Sequence, residues 1–231
     1  MTADAPAVSW REERAAVLRA AFGVGLATGA YGISFGAISV AAGLSVAQTC
    51  ALSLLMFTGG SQFALVGVLG VGGAPLAAGA TAAMLGTRNA FYGLRLAELL
   101  RVRGIRRAVA AQLVIDESTA VAVGQATPRA ARLGFWATGI VVFVCWNLAT
   151  ALGAVGAGAL RDPRDLGLDA AAPAAFLALL APRMRSAQPW AVGLVAALVA
   201  LASVPYAPVG VPVLLAAVVA LIGLRRSRER T

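Results

Sequence analysis

Histidine and lysine are both absent from the 231 residues, so every basic side chain is an arginine. Without histidine a serine nucleophile has no triad base, and without lysine it has no dyad base. This matters for Gly32-Ile33-Ser34-Phe35-Gly36, which matches the G-x-S-x-G pattern of a nucleophile elbow. The lack of histidine also excludes the H-E-x-x-H zinc motif. We therefore predict that the protein is not an enzyme and that it holds no metal and no cofactor.

Cysteine is scarce as well, because the chain contains only two. Cys50 and Cys145 both lie inside apolar segments, too far apart in the sequence to suggest a disulfide framework or a metal site. We interpret them as small buried hydrophobic residues.

Charge is missing from long stretches of the chain. Between Ala20 and Thr87, 68 consecutive residues contain no charged side chain. At about 1.5 Å per residue they would form roughly 100 Å of helix, about three times the ~30 Å hydrocarbon core of a bilayer. Hydrophobic residues make up 60% of the chain, against about 45–50% in an average globular domain. The sequence therefore predicts an all-α polytopic membrane protein.

The net charge of +9 would suggest nucleic-acid binding in a soluble protein. Here the arginines are concentrated in the short connections between apolar segments. Arginines in such connections set the orientation of a protein in the lipid bilayer. We therefore predict that the lipid bilayer is a partner of the protein and that the protein binds no nucleic acid.

The chain divides into eight apolar segments, separated by charges and by Pro/Gly breaks. We predict one transmembrane transport domain over residues 20–224, a cytoplasmic N-terminal segment over residues 1–19 and a cytoplasmic basic tail over residues 225–231. The segments are Ala20–Ala42, Val46–Gly70, Pro75–Leu94, Ala108–Gln125, Leu133–Ala159, Ala170–Ala181, Gln188–Val204 and Val209–Leu224.

The distribution of arginine predicts which segments cross the bilayer. If all eight crossed, the arginine-rich loop after the third segment would lie opposite the N-terminal arginines, which the positive-inside rule disfavours. We therefore predict about six crossing helices and two re-entrant or interrupted segments, Val46–Gly70 and Ala170–Ala181. Only Arg129 and Arg132 then face outward. The first re-entrant segment contains Gly59-Gly60, which weakens a helix, and the second is too short for a comfortable span.

This arrangement forms an inverted repeat of residues 20–125 and 133–224, because the second unit starts from the opposite face. A weak sequence similarity supports it, since Gly36 to Leu44-Ser45 resembles Gly158 to Leu168-Asp169. Inverted repeats with interrupted helices near the bilayer midplane are common in secondary transporters.

Small residues recur along one face of the first segment. Gly25, Gly29, Gly32, Gly36 and Gly43 are three, four or seven residues apart, so they share a helix face. Such a face lets another helix approach to close backbone contact. We interpret it as a helix-packing surface, and a lining of the substrate path is the alternative.

The polar pair Ser61-Gln62 follows Gly59-Gly60, where an interrupted helix exposes backbone amides near the middle of the membrane. Helix N-termini of this kind bind carboxylates. We predict a substrate site at these four residues, with Phe57 and Phe63 as an apolar wall. The alternative is that Gln62 forms a hydrogen bond between helices.

Charged side chains also lie inside two apolar segments. Arg88 is followed by Asn89 and Tyr92, and it either contributes to the site, reaches the membrane interface or forms a structural ion pair. Asp116 and Glu117 lie near the middle of the fourth segment. A carboxylate in the membrane is a candidate proton carrier or ion ligand. With no histidine, any proton coupling falls to these two residues, unless one of them only neutralises Arg88.

Four groups of residues together resemble the AzlC family, the large subunit of branched-chain amino acid exporters. Their order and spacing are similar to those of the family across nearly the whole chain. The groups are Gly43-Leu44-Ser45 with Gln48 and Ser53, Phe57-Thr58-Gly59-Gly60-Ser61-Gln62-Phe63, Arg88 with Tyr92-Gly93, and Asp116-Glu117-Ser118.

The resemblance implies export of leucine, isoleucine, valine or analogues such as azaleucine across the cell inner membrane. It also implies a small hydrophobic partner subunit of the AzlD type, encoded separately. From the residues alone, a channel or transporter for another small solute and a structural membrane subunit without transport remain open.

Overall fold

The computed structural model describes residues 9–158, 184–208 and 211–228, together with residues 177, 180 and 181. These described residues form nine α-helices and no strand, which confirms the all-α prediction for this part of the chain. The helices are α1 (Trp10–Ala41), α2 (Val46–Leu55), α3 (Gly60–Gly70), α4 (Pro75–Leu100), α5 (Ile105–Gln112), α6 (Asp116–Val123), α7 (Pro128–Gly158), α8 (Ala187–Ser203) and α9 (Val211–Arg228).

Two helices of the described residues are long and apolar enough to cross a membrane. They are α1 and the portion Pro128–Ala157 of α7, while α2, α3 and α8 are shorter apolar helices. The predicted re-entrant segment Ala170–Ala181 lies almost wholly outside the described residues. The number of crossings therefore stays a prediction.

Four glycines of α1 lie directly against α7. A Cβ atom added to Gly32 would lie 2.6 Å from the carbonyl oxygen of Trp146, so only glycine allows this approach. Because the contacting residue numbers rise in the same direction along both helices, α1 and α7 are parallel and their N-terminal ends lie together. The four contacts are Gly25 with Val141, Gly29 with Cys145, Gly32 with Trp146 and Gly36 with Thr150.

Gly43, the fifth glycine of the predicted packing face, lies beyond the end of α1. Its φ is +94°, and a Cβ atom there would meet no other atom within 4 Å. The amides of Gly43 and Leu44 donate to the carbonyls of Val40 and Ser39, which is the pattern of a Schellman helix end. Gly43 therefore serves the left-handed turn before α2 and not the packing of α1.

The predicted interruption of the second segment is present between α2 and α3, over residues 56–59. Gly70, at the end of α3, returns to the end of α1, because a Cβ atom there would lie 3.3 Å from the Cβ of Ala42. The two helices therefore form a hairpin that enters and leaves at the C-terminal end of α1.

The prediction of one continuous crossing over Ala108–Gln125 is wrong. This segment forms α5 and α6, which are separated by residues 113–115. The Oγ of Ser118 accepts from the amide of Ile115 at 3.2 Å and donates to the carbonyl of Leu113 at 2.6 Å. Asp116 and Glu117 therefore lie in the first turn of a new helix, where carboxylates are stabilised by the helix dipole.

The α5–α6 hairpin returns to the end of the molecule from which it started. A Cβ atom on Gly139 would lie 3.0 Å from the Cβ of Leu113, and one on Gly134 would lie 3.1 Å from Cγ1 of Val121. The residue numbers run in opposite directions, so α6 is antiparallel to α7. Its C-terminal end therefore lies beside the N-terminal end of α7.

This return overturns the predicted outward position of Arg129 and Arg132. The guanidinium carbon of Arg129 lies 3.9 Å from the ring centroid of Trp10, at the start of α1. The Nε of Arg132 donates to the carbonyl of Leu99, at the end of α4, at 2.8 Å. Both arginines therefore lie at the same end as the N-terminal arginines, in agreement with the positive-inside rule. Residues 133–224 consequently start from the same end as residues 20–125. The prediction that the second unit starts from the opposite face, as an inverted repeat, is therefore wrong.

The two hairpins enter from opposite ends and meet between the crossing helices. The side-chain amide of Gln112, at the end of α5, donates to the carbonyl of Leu54, near the end of α2, at 2.8 Å. The interruptions of both hairpins therefore lie at a similar depth, which brings the polar residues of each to one place.

The arrangement of the hairpins predicts which connections share a side of the membrane. In a cysteine-free background, single cysteines at Arg103 and Ala126, both exposed, should react with an impermeant thiol reagent from the same side. A cysteine at the exposed Ala74 should react only from the other side. Labelling of positions 103 and 126 from opposite sides would contradict the α5–α6 hairpin.

The α1–α7 contact predicts a position-dependent effect of adding one methyl group. Gly36→Ala should destabilise the protein by about 1–3 kcal/mol, because the new Cβ meets the backbone of Thr150. Gly23→Ala is the matched control on α1, since its Cβ would meet nothing within 4 Å. Thermal unfolding in detergent measures both. Equal melting temperatures of the two variants would show that the backbone contact does not limit stability.

Candidate functional site

The side chain of Gln62 forms hydrogen bonds across the interruption between α2 and α3. Its side chain is fully buried. Its Oε1 accepts from the amide of Gly59 at 3.0 Å, and its Nε2 donates to the carbonyl of Leu52 at 3.4 Å. Both bonds lie within the hairpin, which corresponds to the alternative of a hydrogen bond between helices. The amide therefore fixes the shape of the site.

The two adjacent glycines serve different purposes. Gly59 has φ +57°, in the left-handed region that favours glycine. Gly60 begins α3, and a Cβ atom there would lie 3.1 Å from Nη2 of Arg88. The first glycine therefore allows the turn, and the second makes room for the guanidinium group beside the start of α3.

Arg88 connects α4 to both hairpins. Its Nη2 lies 2.9 Å from Oδ2 of Asp116, at the start of α6, and 3.5 Å from the carbonyl of Thr58, in the α2–α3 interruption. The two charged side chains are 29% and 28% exposed. The Nε of Arg88 and the Oδ1 of Asp116 have no hydrogen-bond partner among the described residues. The ion pair therefore retains an unused donor and an unused acceptor.

Glu117 lies next to Asp116 but points to a different helix. It is within hydrogen-bonding reach of the Thr28 hydroxyl, on α1. Asp116 is already paired with Arg88. Glu117 is therefore the carboxylate of the site that lacks its own ion-pair partner among the described residues.

Aromatic rings form one wall beside these charges. The ring of Phe35 lies 5.9 Å from that of Trp146, in a stacked arrangement, and 5.5 Å from that of Phe63, edge to face. Phe57 meets Phe143 edge to face at 5.0 Å. These separations are typical of favourable aromatic pairs, so each ring is held in position by a neighbour.

A cavity of about 150 Å³ lies between the charges and the rings. A water molecule needs about 10–15 Å³ by this measure, so the cavity holds roughly ten to fifteen non-hydrogen atoms, the size range of a small or medium-sized amino acid. It receives side chains from α1, α4, α6, α7 and both interruptions. The lining residues are Thr28, Tyr31, Phe57, Thr58, Gly59, Gly60, Phe63, Arg88, Ile115, Asp116, Glu117, Val142 and Trp146.

The predicted site residues divide into two groups. Seven line the cavity, namely Phe57, Gly59, Gly60, Phe63, Arg88, Asp116 and Glu117. The other four lie around it, namely Ser61, Gln62, Asn89 and Tyr92. Ser61 is almost fully buried and faces Gly86, where a Cβ atom would lie 3.4 Å from its Oγ. Tyr92 packs against the hydrophobic core, and Asn89 lies partly buried on α4.

Sequence reasoning missed the contribution of α1 and α7 to the cavity. Thr28 and Tyr31 lie three residues apart on α1, and Val142 and Trp146 lie four apart on α7. Each pair shares a helix face. No local signal distinguishes these residues from other members of apolar helices, because their position depends on the parallel packing of α1 and α7. In the described part of the chain, no three Cys, Asp or Glu side chains converge to hold a metal.

Comparison with known proteins gives one match. A family model described as AzlC protein matches residues 23–160, more than half of the chain. This range contains every residue that lines the cavity. No curated protein and no solved structure matched the chain.

The Arg88–Asp116 ion pair predicts a non-additive effect on stability. Arg88→Met and Asp116→Leu each leave an isolated charge, so each should lower the melting temperature in detergent. The double variant removes both charges and should recover part of the loss, with a coupling energy of about 1–3 kcal/mol. Additive losses in the double variant would show that the two side chains do not stabilise each other.

Proposed function

Because the chain belongs to the AzlC family, whose members have a role in membrane transport, we propose that it exports branched-chain amino acids such as leucine, isoleucine and valine. The observation that carries this proposal is the cavity, which places one cation and two carboxylates beside an aromatic wall. A branched-chain amino acid has the matching groups, namely a carboxylate, an ammonium and a compact apolar side chain. The transporter is proposed to act in the cell inner membrane with both termini in the cytoplasm.

The substrate carboxylate is proposed to bind between Arg88 and the start of α3. The guanidinium lies beside Gly60, the first residue of this helix. The first amides of a helix have no acceptor within the helix, and its dipole favours a negative charge. The unused Nε donor of Arg88 adds to this preference.

The substrate ammonium is proposed to bind at the start of α6. Glu117 is the stronger candidate, because Asp116 already compensates Arg88. Thr28 and Tyr31 approach from α1 and offer hydroxyl groups nearby. A proton on Glu117 is the alternative occupant of the same position, since a carboxylate within the membrane is a candidate proton carrier.

The opposed hairpins support a transport role for this site. Interrupted helices that meet near the midplane are a recurrent construction of secondary transporters, because their free ends bind the charged groups of a substrate. In this protein both α3 and α6 begin at the cavity. A movement of either hairpin would change the access to the site from its own side of the membrane.

The proposed partner is a small hydrophobic subunit of the AzlD type, encoded separately. Large apolar side chains on α7, such as Leu148 and Leu152, are exposed and available to lipid or to this subunit. Expression of both chains together is therefore the appropriate condition for transport measurements.

Export of leucine from loaded cells tests the proposal. Arg88→Gln and Glu117→Gln should each reduce export, since a hydrogen bond to a charged group contributes about 1.5–3 kcal/mol, or roughly ten- to hundredfold. Arg107→Gln is the matched control, because Arg107 is exposed and remote from the cavity.

Three outcomes would contradict the proposal. Unchanged export in both cavity variants would remove the assigned roles. Equal export of an unrelated sugar or ion would favour a channel or a transporter for another solute. Copurification with a partner but no export of leucine would favour a structural membrane subunit.

A further inference from the structure

We propose that Val142 sets the upper size limit of the substrate side chain, an inference that rests on the proposed function. Val142 is 1% exposed to solvent and lines the cavity. It lies four residues before Trp146, so both side chains project from the same face of α7. The two residues form the α7 wall of the cavity.

The backbone of α7 is fixed at this level. Gly32 of α1 approaches the carbonyl oxygen of Trp146, and Gly29 approaches Cys145. On the other side, a Cβ atom on Gly139 would lie 3.0 Å from the Cβ of Leu113. The backbone contact with α1 and the contact with the Leu113 side chain therefore hold α7 in place at this level.

Trp146 is also fixed by its neighbours. Its ring stacks on Phe35 at 5.9 Å and meets Phe63 edge to face at 6.1 Å. A Cβ atom on Gly59 would lie 4.0 Å from Cη2 of Trp146, so the indole reaches the interruption between α2 and α3. The ring therefore forms a rigid end to the space beside Gly59.

Val142 differs from the other apolar residues of the cavity. Phe57, Phe63 and Trp146 each pack against another ring, so their replacement would disturb the core. Ile115 precedes α6, and its backbone amide takes part in closing the α5–α6 interruption. Val142 makes no such pair, and its branched side chain has one strongly preferred rotamer in a helix. Val142 belongs to the buried core, but its volume borders the cavity without taking part in a ring pair or in the closing of an interruption.

The limit on the size of the substrate side chain is steric. One methylene added to or removed from an apolar pocket changes discrimination between substrates by about 10- to 200-fold. The cavity of about 150 Å³ holds roughly ten to fifteen non-hydrogen atoms, so the nine of leucine fit and the twelve of phenylalanine come close to its limit. A smaller residue at position 142 should therefore admit phenylalanine, and a larger one should exclude leucine before valine.

Competitive export measurements with the full chain and its small partner test this inference. In Val142→Ala the ratio of phenylalanine to leucine export should rise about tenfold. In Val142→Ile, which adds one methylene, the ratio of valine to leucine export should rise several-fold. Val144→Ala and Val144→Ile are the matched controls, because Val144 lies on α7 but is 48% exposed and does not line the cavity.

The possible outcomes distinguish a failure of the size limit from a failure of the proposed function. Leucine export by the wild type with unchanged ratios in both Val142 variants would overturn the size limit and leave the proposed function intact. The same change in ratio in the Val144 variants would also overturn it. No leucine export by the wild type would overturn the proposed function and this inference with it. If Val142→Ala does not fold, the valine-to-leucine ratio of Val142→Ile decides the question.

Discussion

Arg88 carries a permanent positive charge about halfway along α4, between apolar stretches on both sides. A guanidinium in the membrane is costly unless an anion or carbonyl dipoles compensate it. The protein supplies both, because Asp116 pairs with it from one hairpin and the carbonyl of Thr58 accepts from it in the other. Each contact requires a helix to be interrupted at the correct depth. The position of Arg88 and the interruptions of the two hairpins therefore depend on each other.

The interruptions themselves must satisfy their own backbone groups, since no water is available in the hydrocarbon region. Two side chains do this in the same way. Gln62 accepts from the amide of Gly59 before α3, and Ser118 accepts from the amide of Ile115 before α6. Gln112 then joins the two hairpins through the carbonyl of Leu54. These bonds fix the shape of the two interruptions that line the cavity.

The parallel packing of α1 and α7 supplies the remaining walls. Glycines bring the two backbones together, so Thr28 and Trp146 reach the same space from different helices. The same packing places Arg129 beside Trp10 and collects the basic connections at one end. The grouping of the basic connections and the composition of the site thus both depend on one helix contact.

The sequence predicts some of this structure and not the rest, for identifiable reasons. Gly59-Gly60 marks the first interruption because adjacent glycines weaken a helix in any surroundings. The second interruption has no such mark, since no glycine or proline occurs within residues 105–123. It depends on Ser118 and on contacts with α7, which are made only in the folded protein. For the same reason the place of Asp116 and Glu117 at a helix start was missed, although both were predicted as site residues and both line the cavity.

Five of the seven predicted residues that line the cavity could be recognised because charges and adjacent glycines are unusual inside an apolar segment. They are Gly59, Gly60, Arg88, Asp116 and Glu117. Val142 and Trp146 have no such distinction in a helix rich in apolar residues. Their role depends on which helix lies opposite, and a pattern within one segment does not contain that information.

The proposed function requires that one cavity recognise both charges and the apolar side chain of an amino acid. Equilibrium binding of labelled leucine to the purified protein with its small partner tests this most directly, with leucinamide and 4-methylpentanoate as competitors. The first competitor lacks the carboxylate and the second lacks the ammonium. Leucine should compete at least about tenfold better than either analogue, because each analogue loses the hydrogen bonds of one charged group. Equal competition by all three compounds would contradict it.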